Sequence, residues 1–160
     1  MKYLEREYKV NIIHIFDDLF LINQKRFFEI INRIDGEGIN QKVKFMCLIR
    51  GDLLSDRVME ALKRMNCVCV GVGLESGSEK ILSYLKNKTL TVEQSRRAIK
   101  YCKDYRITCM GSFMIGNPNE TEEDLNQTLN LIKENQRNQF FSALTYISIP
   151  LPGTKMWDDA

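Results

Sequence analysis

Two hydrophobic periods alternate along the chain. Val10-Asn11-Ile12-Ile13-His14-Ile15-Phe16 is rich in β-branched residues and ends in Asp17-Asp18, so it predicts a strand. A helix is expected next, capped by Asn23, with Phe27, Ile30, Ile31 and Ile34 on one face and Gly36 or Gly38 as its stop. Val43 to Ile49 reads as a second strand, followed by Arg50-Gly51-Asp52 and a helix capped by Ser55 with Val58, Ala61, Leu62 and Met65 inward. Val68 to Leu74 is the third strand, leading into Glu75-Ser76-Gly77-Ser78 and a short helix around Ile81, Leu82 and Leu85. Thr91 with Gln94, and Thr121 with Asp124, have the spacing of capping boxes. The first heads a helix burying Ala98, Ile99 and Cys102; the second heads one with the stripe Leu125, Thr128, Leu129 and Ile132. Ile107 to Ile115 and Ser142 to Ile149 complete five strands, and Met1 to Tyr8 reads as the tail of a helix.

Strand starts recur about every 33 residues, the length of a βαβ unit. Strands apolar on both faces and alternating with helices predict an α/β protein with a parallel sheet. Right-handed crossovers leave a doubly wound open sheet or part of a (βα) barrel. A complete eight-unit barrel takes about 250 residues, so the 160 here make one domain with an incomplete, TIM-like barrel at most.

Composition narrows the class only a little. With 44% hydrophobic and 28% charged residues the chain is ordinary for a globular protein. No apolar run approaches the ~20 residues of a membrane helix, and a charged N-terminus has no signal-peptide character. A net charge of +2 without blocks of one sign offers no evident nucleic-acid patch. Five cysteines, Cys47, Cys67, Cys69, Cys102 and Cys109, among apolar neighbours read as reduced core thiols of a cytoplasmic protein. On a regular strand Cys67 and Cys69 share a face, without a second pair to complete a metal site. His14, without a second histidine, reads as a satisfied core residue.

Parallel α/β sheets place ligands at the carboxyl ends of their strands. Those ends carry Asp17-Asp18, Arg50-Gly51-Asp52, Glu75-Ser76-Gly77-Ser78, Gly116-Asn117-Pro118 and Pro150-Leu151-Pro152-Gly153. By period two Gly71, Gly73 and Glu75 share a face, with either a packed neighbouring side chain or a ligand approaching the backbone there. Ser76-Gly77-Ser78 leads into a helix N-terminus, which suits polar or anionic atoms or simple capping by Ser78. Adjacent acids after a first strand also suit a phosphoryl-accepting receiver domain, but Glu75 and a proline-rich segment stand where that fold needs Asp and Lys. One of the two acids is expected to face a cavity and the other to accept from loop N–H groups.

Four segments, taken together, resemble the radical SAM enzymes. They are Ile15-Phe16-Asp17-Asp18-Leu19-Phe20; Gly71-Val72-Gly73-Leu74-Glu75-Ser76-Gly77-Ser78; Gly111-Ser112-Phe113-Met114-Ile115-Gly116-Asn117-Pro118-Asn119-Glu120-Thr121; and Pro150-Leu151-Pro152-Gly153-Thr154. The resemblance is to the branch whose members often carry a cobalamin-binding domain. It implies a partial (βα)6 barrel holding a [4Fe-4S] cluster and S-adenosylmethionine, whose reductive cleavage yields a 5′-deoxyadenosyl radical. By that likeness Asp17 or Asp18 contacts the amino group of S-adenosylmethionine, Arg50 its carboxylate, and Glu75 and Ser76 its ribose. The segment from Gly111 to Glu120 matches one whose backbone, around Ile115 and Gly116, lines the adenine.

The cluster-binding CxxxCxxC of the family is absent from these residues. The segment is therefore expected to represent strands two to six of a longer protein, without the first strand and cluster loop, and to be inactive alone. Its edge at Val10 to Phe16 is then expected to self-associate. Asn119 stands where glycine is usual in the third of these segments, and Asn66 and Arg106 stand where glycine is common before strands; asparagine tolerates the left-handed conformation and arginine does so less well. A non-catalytic nucleotide-binding or interaction module on the same scaffold is the alternative, and a flavodoxin-like sheet a more distant one. The substrate is unknown.

Overall fold

A computed structural model describes residues 1–159 except 18–19 and 87–88. Helix α1 (Lys2–Tyr8) precedes β1 (Ile12–Ile15), α2 (Gln24–Gly36), β2 (Lys44–Ile49), α3 (Asp56–Arg64) and β3 (Cys67–Glu75). Then come α4 (Glu79–Lys86), α5 (Val92–Tyr105), β4 (Thr108–Ile115), α6 (Glu122–Glu134), β5 (Phe141–Ile147) and α7 (Lys155–Asp158). The five strands form one parallel sheet in the order β1-β2-β3-β4-β5. That order decides between the two architectures. A doubly wound sheet reverses direction partway, whereas neighbours that advance one way with right-handed crossovers put every connecting helix on one side, as in a barrel.

One core lies between that side of the sheet and the helices. Phe45, Cys47, Val70, Val72, Leu74, Cys109 and Phe113 pack there with Phe27, Ile31, Val58, Leu62, Ile99 and Cys102. The expected caps form: Asn23 and Ser55 accept from Arg26 and Val58 N–H, and both capping boxes close in full. The 3-10 turns at Ile39–Gln41 and Gly51–Leu53, and α7 behind the Thr154 cap, have no counterpart in the hydrophobic pattern.

Three sequence expectations change. Helix α6 buries Asp124, Thr128 and Leu131 and leaves Leu129 exposed, a face rotated from the apolar stripe. The cause is polar: Thr128 Oγ1 accepts from Gly77 N–H at 2.9 Å, and Asp124 accepts from Ser78 Oγ at 2.6 Å. The approach is so close that a Cβ on Gly77 would stand 2.5 Å from the Gln127 carbonyl oxygen. Second, the β2–β3 register slips between Phe45 and Met46, setting Cys67 beside Phe45 and Cys69 beside Met46. Adjacent residues of β2 face opposite ways, so this bulge parts the two thiols. Third, β1 starts at Ile12, because Lys9 closes α1 in the left-handed region at φ 52°.

Asn66, Arg106 and Asn119 have φ of 62°, 55° and 60°. All three positions need the backbone conformation that glycine adopts most easily. Arg106 follows α5, where its N–H and that of Ile107 both bond to the Cys102 carbonyl. Asn66 compensates with its side chain, whose Nδ2 donates to Asn40 O at 2.9 Å and Val43 O at 3.2 Å.

Candidate active site

The face of the sheet away from the helices carries His14, Met46, Leu48, Gly71, Gly73, Met110, Ser112, Leu144 and Tyr146 in laterally paired rows. Its two glycines have local explanations. A Cβ on Gly71 would meet Leu48 Cδ2 at 2.6 Å, and one on Gly73 would meet Glu75 Oε1 at 2.5 Å. Side chains thus pack close to both glycines, and both also border an open cavity on that face.

Glu75 ends β3 in an unusual turn. Its φ is 61°, and Ser76 N–H donates to Leu74 O at 2.8 Å, an i to i+2 bond around a positive-φ residue. This is the rarer, strained form of the γ-turn. The turn folds the Glu75 carboxylate back over Gly73, where Oε1 meets Lys86 Nζ at 2.9 Å. Beside it Arg50 Nε and Nη2 donate to Asp52 Oδ1 and Oδ2 at 3.0 and 2.9 Å, a fork-to-carboxylate pair that raises the Arg50 pKa. A cavity of about 130 Å³ lies between these two pairs, bounded by Arg50, Asp52, Gly73, Glu75, Lys86 and Thr89. Arg50 also borders a larger cavity of about 420 Å³ on the inner face.

The remaining rim residues fall in different places. Asp17, at the end of β1, accepts from Arg26 Nη2 at 2.5 Å. Asp18 lies outside the described residues. At the end of β4, Gly116 (φ 77°) and Asn117 both donate N–H to Glu120 Oε2, at 2.6 and 3.0 Å, while Ile115 O accepts from Ser148 N–H at 2.8 Å. That turn is internally closed.

Ser76 and Gly111 sit elsewhere. The Ser76 side chain is fully buried, its hydroxyl shared with Thr128 Oγ1 at 3.0 Å and accepting from Ser78 N–H, so only its backbone borders the rim. Gly111 is inside β4 on the helix side, where a Cβ would collide with Leu74 Cδ1 and Phe141. Its role is packing.

Sequence reasoning missed Lys86 and misjudged His14. Lys86 belongs to the last turn of α4, and only the fold brings it back to the β3 terminus. His14 is half-buried on the inner face, its ring 3.9 Å from that of Phe16, with no hydrogen-bond partner for its nitrogens among the described residues. It is not a satisfied core histidine.

The cysteines do not form a cluster site. All five are free and buried. Cys47 and Cys102 have thiol pKa values pushed up by hydrogen bonds to Cys67 and Cys109 and by burial, and burial pushes Cys69 up to about 11. Thiolates are the form that binds iron, so these thiols are poor ligands. Among the described residues no group of three or more His, Cys, Asp or Glu side chains could hold a metal ion. An iron–sulfur cluster therefore does not fit the described residues. Among the described residues no helix is long and apolar enough to cross a membrane.

Solved structures share this architecture. The S-adenosylmethionine methyltransferase TsrM from Kitasatospora setae, bound to cobalamin and a [4Fe-4S] cluster, matches 94% of the chain with a TM-score of 0.82 and 17% identity, over 30% of its own length. Elp3 of Methanocaldococcus infernus matches 98% of the chain and 42% of its own, with a TM-score of 0.69 and 17% identity. At such identities the likeness is one of fold. Among curated relatives, an uncharacterized methyltransferase of Pyrococcus horikoshii is 34% identical over 157 residues, 98% of this chain and 33% of the relative. A tRNA-2-methylthio-N(6)-dimethylallyladenosine synthase of Alkaliphilus oremlandii is 33% identical over 131 residues, 79% of this chain and 26% of the relative. The chain thus spans about a quarter to a third of the length of the curated relatives it matches. The radical SAM superfamily model covers residues 1–132, which include the Glu75 turn, the Arg50 fork and the Gly116 turn. With the one-directional parallel sheet and the strand-end rim, that match places the chain in the radical SAM superfamily.

Proposed function

We propose that the rim at the ends of β1 to β4 binds S-adenosylmethionine, and that the whole protein is a cytoplasmic radical SAM enzyme. The observation that carries this reading is the pair of opposed ion pairs, Arg50–Asp52 and Lys86–Glu75, around one small cavity. Arg50 offers its guanidinium to the methionine carboxylate, and Asp52 holds the fork in plane. Glu75 presents carboxylate oxygens to the ribose hydroxyls. Asp17 or Asp18 accepts from the amino group, and the backbone at Ile115 and Gly116 flanks the base. Bound there, S-adenosylmethionine supplies a carbon–sulfur bond whose one-electron cleavage starts radical chemistry. A cluster that delivers the electron has to take its cysteines from outside these 160 residues, and cobalamin, where used, would belong to another domain. Residues 1–160 by themselves are then inactive.

Saturation-transfer NMR with S-adenosylmethionine tests the site. Weak, saturable binding to the wild-type chain, lost in Glu75→Ala and kept in an Asn130→Ala control, is the expected result. Binding untouched by Glu75→Ala overturns the assignment. The buried thiols favour one further reading, a nucleotide-binding module without iron. Anaerobic reconstitution with iron and sulfide separates the two in the intact protein: a brown, absorbing sample supports the enzyme and a colourless one the module.

A further inference from the structure

The inner-face cavity of about 420 Å³ has walls of a distinct kind. His14 and Phe16 stack at the β1 side, Tyr146 stands on β5, and Leu48, Met110 and Leu144 supply the apolar area between them. Across the floor, Leu48 leans over Gly71 and the Glu75 carboxylate is drawn aside over Gly73, so no large side chain rises from the middle strand. Ser112 turns its hydroxyl to Val72 O at 3.3 Å. Among the described residues the one formal charge at the border, Arg50, is matched by Asp52. A charged ligand would lose its hydration here against apolar walls without a free counter-charge. A flat, uncharged ring would lie between aromatic flanks, which favour stacked or edge-on partners.

We propose that this cavity takes the acceptor substrate, that the substrate part held there is an uncharged, planar heteroaromatic ring, and that His14 positions it. The proposal rests on the rim holding S-adenosylmethionine, since Arg50 borders both cavities. His14 is suited to the task because its ring rests against Phe16 while its nitrogens lack protein partners among the described residues. A neutral imidazole offers one donor and one acceptor, so it can orient a ring bearing a polar edge. His14 is a positioning residue; no proton transfer is assigned to it.

His14 is the only histidine in the chain, so ¹⁵N-histidine labelling gives a signal from one imidazole. Benzimidazole is the probe, titrated into the 160-residue chain at pH 7.5, with benzoate as the charged and cyclohexanol as the non-planar comparison. The expected result is a saturable shift of the ring nitrogens with benzimidazole alone, and binding at least fivefold weaker in Tyr146→Ala, a residue half-exposed and unneeded for the core. Equal shifts from all three probes, no shift from benzimidazole, or an unchanged affinity in Tyr146→Ala overturns the proposal. Ligand-observed NMR on His14→Phe, which keeps the stack and removes the polar edge, is expected to show the same fivefold loss; full retention overturns the positioning role. S-adenosylmethionine titrated separately reads the rim, so failure there with benzimidazole binding intact overturns the rim assignment and with it the acceptor role, and leaves only a ring-binding cavity.

Discussion

The carboxylate of Glu75 occupies the space a side chain on Gly73 would need: Oε1 lies 2.5 Å from the ideal Cβ position. Two residues apart on one face, they cannot both carry side chains in this arrangement. The obstructing atom ends a flexible chain, so Gly73→Ala should cost little stability, under about 1 kcal/mol. It should push the carboxylate away from Lys86 and weaken S-adenosylmethionine binding severalfold. Calorimetry beside a melting curve checks this; unchanged affinity would show that Glu75 is not held in place by the glycine.

Gly77 makes the opposite case. Its missing Cβ would strike backbone, Gln127 O at 2.5 Å and Thr128 Cα at 2.7 Å. Backbone of a packed helix cannot step aside cheaply, so Gly77→Ala should destabilise by about 1–3 kcal/mol. For a chain of this size that is a fall in Tm of roughly 3–10 °C. A melting temperature equal to wild type would contradict the close contact with α6.

Asp124 sets an acid limit on the same contact. Hydrogen bonds from Lys80 Nζ, Ser78 Oγ, and Thr121 Oγ1 and N–H hold its carboxyl well below the usual aspartate range. A pKa depressed in the folded state contributes stability fully above the unfolded value near 3.9, and that contribution drains as pH falls below it. Urea denaturation from pH 7 to pH 2 should show this decline. In Asp124→Asn the chain should be less stable at pH 7 and the decline shallower; parallel curves would exclude the linkage.

Arg106→Gly should stabilise the chain by about 0.5–1 kcal/mol, because the left-handed backbone costs a non-glycine residue more than glycine's added unfolded-state freedom. Asn66→Gly should not, since it removes the two side-chain hydrogen bonds to Asn40 and Val43 carbonyls. Equal gains from both substitutions would mean that the Asn66 amide contributes nothing.

Strand β1 pairs with β2 on one side, and Ile12 and Phe16 are exposed. An unpaired edge with apolar side chains invites further strands. Light scattering should show concentration-dependent association that Ile12→Lys reduces. A monodisperse monomer at high concentration would count against it.

Much of this was legible beforehand, and for local reasons. Asn23, Ser55, Thr91 and Thr121 announce helices because a side-chain oxygen three residues from a free N–H is a short-range arrangement. Asn66 and Arg106, just before strands, and Asn119, in a turn, stand where glycine is common, and all three take the left-handed conformation. What escaped depends on partners distant in sequence. The rotation of α6 is set by Gly77 and Ser78, about 50 residues away. The parting of Cys67 from Cys69 needs the β2 register. Ser76 and Gly111 matched motif positions yet face the interior, because a motif fixes neither which atoms are already engaged nor which side of a strand the core occupies. His14 looked like core because its neighbours are apolar, but alternate residues of β1 face the cavity.

The order β1-β2-β3-β4-β5 means that each strand's partner is the one synthesised just before it. A nascent chain emerging from the ribosome can therefore add one strand and helix at a time to a template already standing, without waiting for distant segments. Each closure spans a single βα unit rather than a return from a distant part of the chain, which limits the entropy lost at each step. The same arithmetic leaves a growing edge after each addition, so the chain is most vulnerable to wrong pairing during synthesis rather than after it.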